Sequence, residues 1–335
     1  MKKLLNVGIV GAGLMGNKRA NAIEAVGGGK VVAVADVNKE RALEFAKLHK
    51  CEMADSWQEL VKRKDIDVVI IAVFNKFITP IAVKALQNKK HILCEKPLGR
   101  NSKDSLAILK ASVKNHRLVK VGFNHRFQPA LWKAKQLFDQ GAIGKLLFIR
   151  ARYGHGGRLG MEKEWRFDKN ISGGGELLDQ GVHIIDLCRW FAGDFNEAYG
   201  VCETKFWNTN FEDNAFVILK NKNVTVSFHV STTNWKNIFS FEIFGDKGFL
   251  NIDGKGGSYG KETLVFGRRP PQFGVPQIEV FEFLGDTSWQ DEWINFVSAI
   301  TKNKKIIGDA KDGLEANRIV ETIYKSSKEG KPVNL

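Results

Sequence analysis

The chain has 335 residues, 43% of them hydrophobic and 10% aromatic, enough to bury a large core and long enough for two domains. No stretch is apolar for long enough to cross a bilayer, and Cys51, Cys94, Cys188 and Cys202 lack the paired spacing of a zinc site or a disulfide framework. The net charge of +14 is spread over helix-like segments without a basic arm, which suits an anionic small molecule better than nucleic acid.

In chain order, "MKKLLNVGIVGAGLMG" sets two lysines before an apolar run, as a secretion signal does. Glycines break the run and Asn17, Lys18 and Arg19 follow it, so it reads as a strand entering a loop in a cytoplasmic protein. Short runs rich in branched residues recur at 4–10, 31–36, 67–73, 91–95 and 118–123. Helical stretches separate them. Ser56 with Glu59 forms a capping box, and Thr79 before Pro80 predicts an N-cap followed by proline in the first helical position. Strands alternating with helices predict a parallel, doubly wound sheet.

After about residue 124 the pattern changes. Residues 224–230 alternate strictly, with Val224, Val226, Phe228 and Val230 on one face, and 239–243 do the same with Phe239, Phe241 and Ile243. Such strands predict an antiparallel sheet covered on one side. Further strands are expected at 145–153, 198–206, 215–219 and 278–283, an exposed Gly/Pro-rich loop at 254–277, and closing helices at 289–301 and 313–326. The fold class is α/β: a dinucleotide-binding Rossmann domain over 1–123, then an α+β domain over 124–335 whose C-terminal helix is a candidate to pack back on the first.

Two motifs carry chemistry. Gly11, Gly13 and Gly16 form GxGxxG between a strand and a helix, and Asp36 follows Gly16 by twenty residues. Small residues there let the amides of Gly11, Ala12, Gly13, Leu14 and Met15 approach a pyrophosphate, and Asp36 takes ribose hydroxyls. A carboxylate at that position repels a 2′-phosphate, so NAD is preferred over NADP, although Lys39 and Arg41 lie nearby. The second motif is "GGGELLDQGVHIID", residues 173–186. On an α-helix it would align Asp179, His183 and Asp186 on one stripe, a proton-handling site, a metal site or simply a polar face. No HExxH or cysteine cluster completes a metal set, so no metal is expected, and Asp186 reads as a partner of His183 or Arg189. The loop over 150–166 offers Arg152, His155 and Arg158 to hydroxyls or anionic groups of a substrate.

"CEKPLG" at 94–99, "VGFNHRFQP" at 121–129 and "EWRFDKNISGGGELLDQGVHIIDLCRWF", with its Gly175, Asp179 and His183, together resemble the glucose–fructose oxidoreductase, inositol dehydrogenase and rhizopine catabolism protein family (Gfo/Idh/MocA). The resemblance implies an open, mostly antiparallel second sheet that also serves homodimer or homotetramer contacts. It implies an NAD(H)-dependent oxidoreductase acting on a secondary alcohol of a carbohydrate, polyol or nucleotide-linked sugar. Lys96, Asp179 and His183 would be catalytic, with the choice of proton-transfer group between Lys96 and His183 left open. Glu95, Val73, Asn75, Asn124, Trp165 and Arg166 would join Lys96 on the cofactor, and Arg126 would join Lys96, Asp179 and His183 on the substrate. Pro97 would fix a turn, with a cis peptide as one means. Phe74 stands where the family has proline. Some relatives use NAD transiently to cleave glycosides, and others are non-enzymatic nucleotide sensors; the presence of all three catalytic residues favours a dehydrogenase.

Overall fold

The computed structural model describes residues 4–168 and 170–335, and the chain divides into two units. One comprises residues up to Asn124 together with Ser288–Asn317; the other comprises His125–Thr287 with Arg318–Leu335. The first boundary lies next to the expected one at 123/124, and a late segment, Ser288–Asn317, groups with the first unit.

In the first unit β1 (Leu5–Val10), α1 (Leu14–Val26), β2 (Gly29–Ala35), α2 (Lys39–Leu48), β3 (Glu52–Met53) and α3 (Trp57–Lys62) precede β4 (Val68–Ile71), α4 (Asn75–Gln87), β5 (His91–Cys94), α5 (Ser102–Asn115) and β6 (Val119–Val121). The strands pair in parallel in the order β3-β2-β1-β4-β5-β6. Order reverses between β1 and β4, and such a switch point is where nucleotides bind in doubly wound sheets. Val7, Ile9, Val34, Val68, Ile70 and Leu93 form a dry core with Ile23, Phe45, Trp293 and Phe296. Burial on both faces explains why these strands read as unbroken apolar runs. Ser56 caps α3 by accepting from the Glu59 N–H, as its spacing predicts. Thr79 does not cap α4: the helix starts at Asn75 after Phe74, and Pro80 lies inside it.

The second unit starts with α6 (Pro129–Asp139), β7 (Leu146–Gly154), a π-helical turn (Leu177–Gly181) and α7 (Val182–Ala192). Strands β8 (Glu197–Glu203), β9 (Asn214–Lys220), β10 (Thr225–Ser231), β11 (Ile238–Gly245), β12 (Gly248–Asp253), β13 (Glu262–Arg268) and β14 (Gln277–Phe283) follow. Helices α8 (Ser288–Lys302) and α9 (Ala310–Glu329) and the short β15 (Val333–Asn334) end the chain. The nine strands run β14-β13-β12-β11-β7-β10-β9-β8-β15, with β7 and β10 parallel and the other pairs antiparallel. Val224, Val226, Phe228, Val230, Phe239, Phe241 and Ile243 are all buried, as their alternation predicts. The stretch expected to be one loop at 254–277 contains β13, whose Leu264 and Phe266 enter the core. No helix among the described residues is long and apolar enough to cross a membrane.

Candidate active site

The glycine loop leaves β1 at the switch point. Gly11 has φ +103, and a Cβ there would lie 2.1 Å from the Ala72 carbonyl oxygen; one on Gly16 would lie 2.0 Å from the Gly11 oxygen. Gly13 is different: a Cβ on it would meet nothing within 4 Å. Two glycines therefore close the turn and the third faces open space. Gly13 also begins α1 with no side-chain cap, and the first turn holds no acidic residue. An uncapped helix N-terminus beside an open glycine fits a pyrophosphate. The Asp36 carboxylate accepts from the Ala12 N–H at 2.7 Å and from the Asn38 N–H at 2.8 Å, which holds it at the mouth of this loop. Val73 lies against Gly11, and Asn75 is buried at the start of α4.

At the end of β5, Lys96 is half-buried and precedes a cis Lys96–Pro97 peptide. Glu95, expected on the cofactor side, is buried with its Oε1 2.7 Å from Arg19 Nε. The same guanidinium pairs with the buried Glu292 and lies over Trp289, 4.4 Å from the ring centroid. A Cβ on Gly122 would come within 2.7 Å of Arg19 and 2.9 Å of Glu95, so this glycine leaves room for the pair. Asn124 is buried and donates to Ser288 Oγ at 3.0 Å. None of Arg19, Glu292 and Trp289 belongs to a recognisable motif.

In the second unit the expected continuous α-helix is absent. Asp179 sits in the π-turn and His183 is the second residue of α7, so the ladder shifts between them and simple α spacing does not hold. Arg166 donates to Asp179 Oδ2 at 3.2 Å and to Glu164 at the same distance, and it covers Trp165 at 4.9 Å. Arg158 pairs with Glu164 at 2.6 Å. His155 is pushed below its ordinary value by burial, against the pull of the Asp179 charge. The His183 ring is stacked on His125, centroids 3.8 Å apart and planes 21° from parallel. Tyr153 closes this wall at 5.3 Å from His125 and 6.4 Å from His183, sharing a hydrogen bond with Tyr259. Burial pushes both phenols up, Tyr259 to about 12.

Two expected substrate ligands, Arg126 and Arg152, have other neighbours. Arg126 is buried and directs Nε and Nη2 at the two oxygens of Asp186, 2.7 and 2.6 Å away. Asp186, expected to face His183 or Arg189, is met by Arg126, and Arg189 pairs with Asp194. Arg152 alternates out of the wall that Tyr153 joins; with His229, Phe216 and Glu242 it lines a depression of about 480 Å³ on the opposite sheet face. His125, Tyr153 and Tyr259 escaped the sequence reading. The only signal was the adjacency of His125 to Asn124 and Arg126 in "NHR".

Residues 5–123 match a family model described as oxidoreductase family, NAD-binding Rossmann fold, and residues 131–251 match the GFO/IDH/MocA C-terminal domain. Levoglucosan dehydrogenase of Pseudarthrobacter phenanthrenivorans is 36% identical over 60% of this chain and 54% of that protein. Inositol 2-dehydrogenase 4 of Saccharopolyspora erythraea is 33% identical over 57% of this chain and 54% of that protein. The matched region thus spans about half the length of these two relatives. A solved levoglucosan dehydrogenase complex with NADH and levoglucosan superposes with a TM-score of 0.91 at 25% identity, covering 99% of each chain.

Proposed function

The chain belongs to the GFO/IDH/MocA family of NAD-binding oxidoreductases, and from that premise we propose that it interconverts a secondary alcohol of a carbohydrate or polyol with its ketone. When bound, NAD supplies the hydride acceptor, and the protein has to orient one carbon and move one proton. His183 exchanges the proton of the reacting hydroxyl, because an imidazole does so near neutrality without extensive tuning. Lys96 stabilises the developing alkoxide electrostatically. Asp179, oriented by Arg166, accepts from a neighbouring substrate hydroxyl. The observation that carries this reading is the cluster on the second unit, where Asp179, Arg166, His155, Tyr153 and the stacked His183 bring hydroxyl-binding and proton-exchanging groups together. Levoglucosan and inositol, named for the two relatives, are the first substrates to test. The nucleotide-linked alternative loses support with Arg152 on the other sheet face. A second copy of the chain is proposed to cover the open face of the nine-stranded sheet.

The full chain is mixed with NAD and a panel of inositols, levoglucosan, free sugars and sugar nucleotides, and NADH is read by absorbance. At least one alcohol is expected to yield NADH. Lys96→Ala and His183→Ala should each lower turnover by about 100-fold or more while NAD affinity stays within about 2-fold. Sugar release without NADH would instead indicate a glycosidase. NAD binding with silence across the panel would overturn the dehydrogenase reading.

A further inference from the structure

Two of the three glycines before the π-turn have a spatial role. A Cβ on Gly174 would lie 2.6 Å from the Tyr324 hydroxyl. One on Gly175 would lie 2.5 Å from the Glu212 carbonyl oxygen and 2.7 Å from its Oε2. Tyr324 of α9 and Glu212, just before β9, therefore occupy the volume that side chains at 174 and 175 would need. Both are tied to the turn they crowd. The Gly175 N–H donates to the Tyr324 hydroxyl at 3.2 Å, the Glu176 N–H to the Glu212 carbonyl at 3.2 Å, and the Leu177 N–H to Glu212 Oε1 at 3.0 Å. The Tyr324 hydroxyl in turn donates to Glu212 Oε1 at 2.8 Å. Three successive amides at the start of the turn are thus taken by one carboxylate-bearing residue and one phenol.

Glu212 is itself anchored through its neighbours. The Asp213 carboxylate accepts from the N–H groups of Lys205, Phe206 and Trp207 at 2.8, 2.8 and 2.9 Å. Asn214 joins His229 at 2.9 Å across the sheet. The next bond in the turn runs from the Asp179 N–H to the Gly175 carbonyl at 2.9 Å, so the clamp and Asp179 share one peptide unit. A π-turn is rare and requires local support.

We infer that Glu212 and Tyr324 are positioning residues for Asp179, holding the π-turn so that its carboxylate stays beside Arg166 and ahead of His183. This rests on the reading of Asp179 as a substrate-binding residue. Neither group needs to touch substrate or cofactor; their effect passes through the backbone of Gly175–Leu177.

The test uses the full chain and the best alcohol of the panel above. Glu212→Ala is expected to lower kcat/KM by about 100-fold, and Tyr324→Phe by about 10-fold, with NAD affinity and binding stoichiometry unchanged. Glu212→Gln keeps the Oε1 acceptor and should restore activity to within about 3-fold of wild type. In an Asp179→Asn background, Glu212→Ala should cost less than about 2-fold more, because both changes act on one element. A stability defect would multiply with Asp179→Asn instead. Amide exchange over 175–183 should quicken in Glu212→Ala and stay slow in Asp179→Asn. Independent, multiplying effects, or an unchanged exchange rate in Glu212→Ala, would overturn the inference alone. Full turnover by Asp179→Asn would remove the role of Asp179 first and this inference with it. Should Glu212→Ala fail to fold, Tyr324→Phe in the two backgrounds gives the same decision.

Discussion

Arg19 decides how the end of β5 is held. Its guanidinium is buried between Glu95 and Glu292 with Trp289 across its face, and Glu95 is the residue before Lys96. Replacing it with leucine leaves two buried carboxylates without a counter-ion, a change that costs about 3–5 kcal/mol. Urea unfolding of Arg19→Leu should report a loss of that order; a value within about 0.5 kcal/mol of wild type would show that the triad contributes nothing to stability. The same triad marks the limit of motif reading. Glu95 and Lys96 were legible because they are adjacent in a recognisable tripeptide, whereas Arg19 lies 76 positions from Glu95 and 273 from Glu292. Likewise His125 sits between two residues read as ligands, yet its stacking on His183 depends on tertiary approach that no local pattern encodes.

Among the elements, those with a strong period were legible and those under local constraint were not. The alternation at Val224–Val230 located β10 because one sheet face is buried. β13 escaped because its Leu264 and Phe266 are set in a segment dense with glycine and proline. The π-turn escaped because its clamp comes from β9's approach and α9, remote in sequence. β13 carries a further consequence: Glu262, its first residue, caps α6 by accepting from the Ala130 N–H at 2.6 Å. Burial pushes its carboxyl up to about 7. Because the folded value is raised above that of an unfolded glutamate, the stabilisation is fully present below about pH 4.3 and is lost as pH rises through about 7. Glu212 is pushed the same way, also to about 7. His155 and His229 are pushed down by burial and oppose both, since their contribution is lost as pH falls. Comparison with Glu262→Gln isolates one group. The melting temperature of wild type minus that of the variant should fall by several degrees from pH 5 to pH 8, and a difference constant across that range would refute the assignment.

At the scale of the whole molecule, one face of the nine-stranded sheet carries exposed apolar side chains among the described residues. The register places Val280, Val265, Asn251, Glu242, Arg150, Ser227 and Ile218 along one line across the strands, and Ile278, Phe249, Phe244 and Phe148 along the next. Phe148, Phe216, Ile218, Ile278 and Val280 on this face are 38% to 56% exposed. Apolar side chains exposed across several strands and mixed with Arg150 and Glu242 resemble an interface more than a core. A second copy brings the same strip, so a two-fold arrangement sets apolar on apolar around the Arg150–Glu242 pair, which closes within one chain at 2.5 Å. Light scattering after size exclusion should therefore give two or four times the chain mass of 37.5 kDa. Ile218→Lys with Val280→Lys places four added charges in a two-fold contact and should return the mass to that of one chain, with NAD affinity unchanged because the nucleotide loop belongs to the other unit. A wild-type protein that runs as a single chain at micromolar concentration, or a double variant of unaltered mass, would mean that this face is not where copies meet.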